Sequence, residues 1–75
     1  NPLTQNTIIT FDNINNKLYR FIIYDIMGRK IRSYFTIDNQ IIIYRNVLSN
    51  GIYFYKFLKE HELLLSGKLV VTNIF

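Results

Sequence analysis

Cysteine is absent from the 75 residues, so no disulfide staples this chain and no thiolate holds a metal. The single histidine, His61, excludes sites that need several imidazoles. No apolar run approaches the roughly 18 residues that a membrane-spanning helix needs. Helical periodicity is nearly missing too, and without a crossover helix parallel βαβ units are ruled out. Patterns that carry catalysis are lacking: there is no phosphate-cradling glycine loop, no nucleophile elbow and no two-histidine motif. A chain this short buries about 60% of its unfolded surface, enough for one thin core but not for an added catalytic cavity. The expectation is a protein that is no enzyme and carries no cofactor or metal.

What is present points to an all-β domain. Apolar residues make up 49% of the chain, with six Tyr and six Phe, far more than a disordered segment contains. They fall in β-branched and aromatic runs separated by short polar breaks. Residues 7–11 (TIITF) read as a first strand, closed by the loop composition of residues 12–16. Residues 17–26 form a long second strand, with Tyr19, Phe21 and Ile23 on one face and Arg20, Ile22 and Tyr24 on the other. Residues 30–37 and 40–44 follow, then Gly51–Lys59 and Glu62–Val71. Hairpins and arches join such strands into a small antiparallel sandwich of about six to seven strands. In residues 40–44 either Ile42 and Tyr44 or Ile41 and Ile43 can face inward; we adopt the phase with Ile42 and Tyr44 inside.

Several turns can be read residue by residue. In Asp25-Ile26-Met27-Gly28 the carboxylate sits where a type I turn accepts amide hydrogen bonds, and Gly28 where a left-handed residue closes a bulge. Asp25 is therefore given a structural task, since no second carboxylate or histidine lies at a catalytic spacing. Asp38-Asn39 is another turn, and Leu48-Ser49-Asn50-Gly51 ends an arch in which Gly51 permits a positive φ. Ser66-Gly67 predicts a bulge or kink in the last strand. Residues 59–62 (KEHE) form a charged turn without glycine, with His61 solvated at its tip.

The strand Gly51–Lys59 is apolar on both faces, and Ile22, Tyr24 and Ile26 repeat the pattern on the second strand. A sandwich this small has one interior, so the surplus is either contact surface or covered by loops. Nine Lys/Arg against five Asp/Glu leave a charge of +4, but the cations are spread along the chain. A nucleic-acid-binding barrel would need Arg20, Arg29, Arg32 and Lys56 to converge on one groove. A carbohydrate-binding accessory module of a secreted hydrolase would need an exposed row of tyrosines. The chain opens at Asn1-Pro2 with neither Met nor signal peptide, which fits a piece of a longer polypeptide.

An ordered set of motifs then narrows the reading. Asn1-Pro2 and Ile8-x-Thr10-Phe11 come first, followed by Phe21-Ile22-Ile23-Tyr24-Asp25-Ile26-x-Gly28-Arg29-x-Ile31. Leu48-Ser49-Asn50-Gly51-Ile52-Tyr53-Phe54-Tyr55 comes next, and Ser66-Gly67-Lys68-Leu69-Val70-Val71 closes the series, with Ile74-Phe75 beyond it. The series resembles the C-terminal sorting domain, type A form, of cargo of the type IX (Por) secretion system of Bacteroidetes. The resemblance implies an immunoglobulin-like sandwich forming a single C-terminal domain, residues 1–75, of a larger secreted protein. It implies passage through the periplasm to the cell surface, with a shuttle protein, an outer-membrane translocon and a cell-surface sortase as partners. No nucleic acid or small-molecule substrate is implied. Carried over residue by residue, partner recognition falls on Gly51, Tyr53, Gly67, Lys68, Leu69, Val70 and Val71.

A physical mechanism stands beside the resemblance. A strand at the chain end leaves unpaired backbone groups along one edge, to which a partner strand, or a second copy forming a dimer, can add. Deleting residues 69–75 is expected to leave a domain that folds but is not exported.

Overall fold

Residues 2–3, 6–45 and 48–72 are described by the computed structural model, and within them the chain forms seven strands and no α-helix. These are β1 (Pro2–Leu3), β2 (Thr7–Thr10), β3 (Tyr19–Tyr24), β4 (Lys30–Thr36), β5 (Gln40–Ile43), β6 (Gly51–Lys59) and β7 (Glu62–Val71). Five of them make a sheet in the order β1-β7-β6-β3-β4, and β2 and β5 make a second, two-stranded sheet. The result is the all-β sandwich expected, with the last two strands bounded as read from the sequence. Asn1, Asn46 and Ile74-Phe75 lie outside the described residues.

Alternation decides the core. Tyr19, Phe21 and Ile23 of β3 point inward beside Tyr53 and Phe57 of β6 and Val71 of β7, and Ile41, Ile43 and Leu48 close over them. Ile23 is wholly buried at the centre. Phe11 fills one end of the layer, its ring centroid 4.3 Å from that of Tyr19 and 5.3 Å from that of Phe57.

Three expectations change. The strand β5 takes the opposite phase to the one adopted: Ile41 and Ile43 are buried, Ile42 is half-buried and Tyr44 is exposed. Pairing with β2 gives the reason, because Ile9 lies opposite Ile41 and Thr10 opposite Gln40. The other phase would turn Thr10 and Gln40 onto the core. Second, Gly67 is not a bulge; it pairs regularly with Tyr55, and the register shift falls earlier, where Phe57 faces Leu65 and Leu58 faces Leu63. Leu64 is the extra residue. Third, the sheet is not wholly antiparallel, since β1 runs parallel to β7 with Pro2 opposite Val70 and Leu3 opposite Val71. The two strands come from opposite ends of the chain, so no crossover helix is needed.

The loops carry their own hydrogen bonds. The Asn13 Nδ2 donates to the carbonyls of Lys17, Ile37 and Asp38 at 2.7–3.0 Å, and its Oδ1 accepts from the Lys17 N–H. One amide thus ties the β2–β3 arch to the β4–β5 turn. The β6–β7 hairpin closes through Glu60 and His61, with Glu60 at φ +54°. That left-handed conformation costs a residue with a Cβ roughly 1–2 kcal/mol, a penalty glycine escapes. Glu60→Gly is therefore expected to stabilise the domain by about 1 kcal/mol, read as a higher urea midpoint. A lower midpoint would show that the Glu60 side chain contributes more than its backbone costs.

Candidate functional site: the β6–β7 hairpin and its open edge

Gly51 and Tyr53 stand on β6, and Gly67 to Val71 stand on β7. The register makes them neighbours: Gly51 faces Val71, Ile52 faces Val70, Tyr53 faces Leu69, Phe54 faces Lys68 and Tyr55 faces Gly67. Two segments far apart in sequence thus form one continuous stretch of ladder.

Each member has a physical place in it. Tyr53 is buried, and its hydroxyl donates to the Ser49 carbonyl at 2.6 Å, pinning the arch before β6. Gly51 has φ +157°, a positive value that residues with a Cβ rarely adopt, so the arch uses the freedom expected of this glycine. Gly67 is required for space: a Cβ there would lie 2.8–3.0 Å from the Tyr55 hydroxyl and ring. The other face of that ring stacks on Phe21, centroids 5.1 Å apart and planes at 19°. Lys68 is exposed, Leu69 and Val70 are half-buried, and Val71 is 1% exposed. The contact between Tyr55 and Gly67 has only an ambiguous sequence signal, since a glycine inside a strand marks close approach as readily as a bulge.

The outer edge of β7 is paired with β1 only at Val70 and Val71. Between Glu62 and Leu69 no strand among the described residues occupies it. Beside this edge, and beneath the open edge of β2, runs an apolar groove of about 440 Å³ lined by residues including Ile9, Phe21, Tyr55, Phe57, Leu65 and Leu69. Backbone groups and an apolar trough therefore lie side by side along one margin of the sandwich.

The Asp25–Gly28 turn projects from β3 at the end of the sheet that carries Gly51 and Val71. The Asp25 Oδ1 accepts from the backbone N–H groups of Met27 (2.9 Å) and Arg29 (3.0 Å), and its Oδ2 accepts from the Arg29 Nε at 2.8 Å. Gly28, at φ +84°, donates its N–H to the Asp25 carbonyl at 3.0 Å. The Arg29 backbone N–H, helped by the Arg29 guanidinium and the Met27 N–H, holds the Asp25 carboxyl below its usual value of 3.8, against an opposing push from desolvation. A depressed folded-state pKa gives stability that is present above the unfolded value and lost as pH falls through the folded one. Between about pH 5 and pH 2, then, the protein should lose more stability than Asp25→Asn does. Parallel acid-unfolding curves would show that this carboxylate adds nothing.

The tyrosines do not form an exposed row. Tyr19 and Tyr53 are buried, Tyr24, Tyr34 and Tyr55 are half-buried, and only Tyr44 is exposed. Nor do the four cations named for a nucleic-acid groove converge. Arg20 and Lys56 share the outer face of the large sheet, Arg29 is held by Asp25, and Arg32 lies opposite Ile23. His61 is exposed at the hairpin tip, and no metal-holding cluster of His, Asp or Glu occurs among the described residues.

Comparison with known proteins gives one result of weight. The model of a family described as the secretion system C-terminal sorting domain matches residues 1–72. No curated protein matches the chain.

Proposed function

The chain belongs to the family of secretion system C-terminal sorting domains, the signal that sends cargo out by type IX secretion, and from that premise we propose that its β6–β7 hairpin is the part the machinery reads. The family places the attached cargo outside the cell or on its outer surface, by way of the secretion machinery. The finer reading is ours. Residues 1–75 act as one C-terminal domain of a larger secreted protein, recognised as a folded unit in the periplasm. The outer-membrane translocon and its shuttle protein engage Gly51, Tyr53 and Gly67 to Val71, and a surface sortase then acts on the delivered protein. No chemistry is performed by the domain itself.

One observation carries this reading: of the residues that carry the family motifs, Gly51, Ile52 and Tyr53 lie opposite Val71, Val70 and Leu69, and Gly67, Lys68 and Leu69 stand on the stretch of β7 whose outer edge no described strand occupies. A partner strand added there would form main-chain hydrogen bonds along β7 and set alternate apolar side chains into the groove. Affinity would come from the backbone and selectivity from the groove.

A transplant tests the function. Residues 1–75 are fused behind a signal peptide and a fluorescent reporter and expressed in a Bacteroidetes host with and without its type IX translocon. The expected result is reporter outside the cell only where the translocon is intact. Folded reporter held in the periplasm of both strains would overturn the proposal.

A further inference from the structure

The face of the five-stranded sheet that looks away from the core is uncovered by β2 and β5, and the ladder registers fix its composition. Across β7, β6, β3 and β4, one row runs Lys68, Phe54, Tyr24, Lys30. The next runs Ser66, Lys56, Ile22, Ser33, and the one after it Leu63, Leu58, Arg20, Phe35. Ile52 and Val70 extend the apolar part toward the Gly51 end. Phe35 is 72% exposed, while Leu63, Ile52 and Phe54 are each about half exposed.

No carboxylate belongs to this face. Asp12, Asp25, Asp38 and Glu60 lie in loops and turns. Glu62 is on β7 but opposite Lys59, one residue out of phase with the outer pair Leu58 and Leu63, so it belongs to the other side. The face is therefore apolar and cationic without compensation, and its charge selects its occupant. A second copy would bring four cations against four, so self-association through this face is opposed. Single-stranded nucleic acid is held through open aromatic faces on which bases stack. Here the Lys56 Nζ sits over the Tyr24 ring, 5.3 Å from its centroid, and Phe35 and Phe54 stand two strands apart. The aliphatic side chains beside them match another protein's surface better than bases.

We infer that this outer face is a second docking surface, and that its partner is a protein of the secretion machinery presenting acidic groups around an apolar patch. The inference rests on the sorting reading and extends it from the β7 edge to a sheet face meeting that edge at Lys68. Apolar contact supplies the close packing, and Lys30, Lys56, Lys68 and Arg20 fix the register against carboxylates.

The test uses the same reporter fusion, with two variants outside the family motifs. Lys56→Glu reverses a central charge, and Phe35→Ser removes an exposed ring without opening the core. Lys17→Glu, in the loop before β3, is the control of equal charge change. Urea midpoints of the three purified domains first establish that each is folded. Each face variant should lower translocon-dependent export about tenfold, the loss of a well-packed interface residue, while Lys17→Glu is exported like the parent. Parental export of folded Lys56→Glu and Phe35→Ser would overturn the inference and leave the sorting reading intact. Failure of the parent fusion itself to be exported would remove both. Binding of the purified domain to a single-stranded oligonucleotide, or to anionic phospholipid vesicles, that Lys56→Glu abolishes would reassign the face and overturn the protein partner.

Discussion

Deleting residues 69–75 is expected to abolish the cooperative unfolding of the domain, not only its export. Val71 is 1% exposed within the core, and Leu69 packs against it from the adjacent inward position. Burial of two such side chains contributes about 3–5 kcal/mol. The same cut removes the ladder partners of Gly51, Ile52 and Tyr53 and leaves β1 with nothing to pair against. A 75-residue domain has roughly 4–11 kcal/mol of stability, so these losses are comparable with the whole. The expectation of a folded but unexported truncation is therefore replaced by one of an unfolded chain. Tyrosine fluorescence through a urea titration should show a clear sigmoid for the protein and a shallow drift for the truncation. A truncation with the original midpoint would prove the last strand an appendage. Export assays on the shortened chain cannot by themselves separate a lost address from a lost fold; point changes on the exposed side of β7 do.

How far the sequence carried the reading is clearest on β6 and β7. Both strands are legible because long β-branched, aromatic and leucine runs meet at the charged segment of residues 59–62, whose middle two residues, Glu60 and His61, form the turn. What alternation cannot supply is the relation between them. Counting back from Lys59 opposite Glu62 would set Tyr55 against Ser66, and would place Lys68 on the core side with Tyr53. The extra residue at Leu64 shifts the count by one and turns Lys68 outward, opposite Phe54. Nothing marks Leu64 among three successive leucines, so the bulge is invisible before the fold exists, although it decides the orientation of the whole motif. On β5 the difficulty was of another kind. Three consecutive isoleucines satisfy either phase, and only pairing with Thr10 and Ile9 chooses. The Pro2–Leu3 strand has no signature in the sequence, because two residues show no period and proline disfavours a ladder. The family motifs were legible as an ordered set, whereas their meeting across one hairpin was not.

Gly67→Ala is expected to destabilise the domain by about 1–3 kcal/mol, a large penalty for one methyl group. The new Cβ would stand 2.8–3.0 Å from Tyr55, and the ring cannot simply retreat because its other face is stacked on Phe21. A flexible tip would swing aside at little cost; here two ring atoms are in conflict as well as the hydroxyl. A double-mutant cycle isolates the cause. In a Tyr55→Leu background the obstruction is gone, and alanine should then improve on glycine in a strand by about 0.5–1 kcal/mol. The effect of one substitution thus changes sign with its neighbour, a coupling of about 2 kcal/mol or more between contacting residues. Equal costs in both backgrounds would place the role of Gly67 in its backbone and not beneath Tyr55. The cycle also reaches the functional reading, because Tyr55 lines the groove beside the β7 edge. If partner strands read that groove, Tyr55→Leu/Gly67→Ala, folded as well as the parent but with an altered floor, should be exported less efficiently. Full export of that variant would leave the β7 backbone alone to carry recognition.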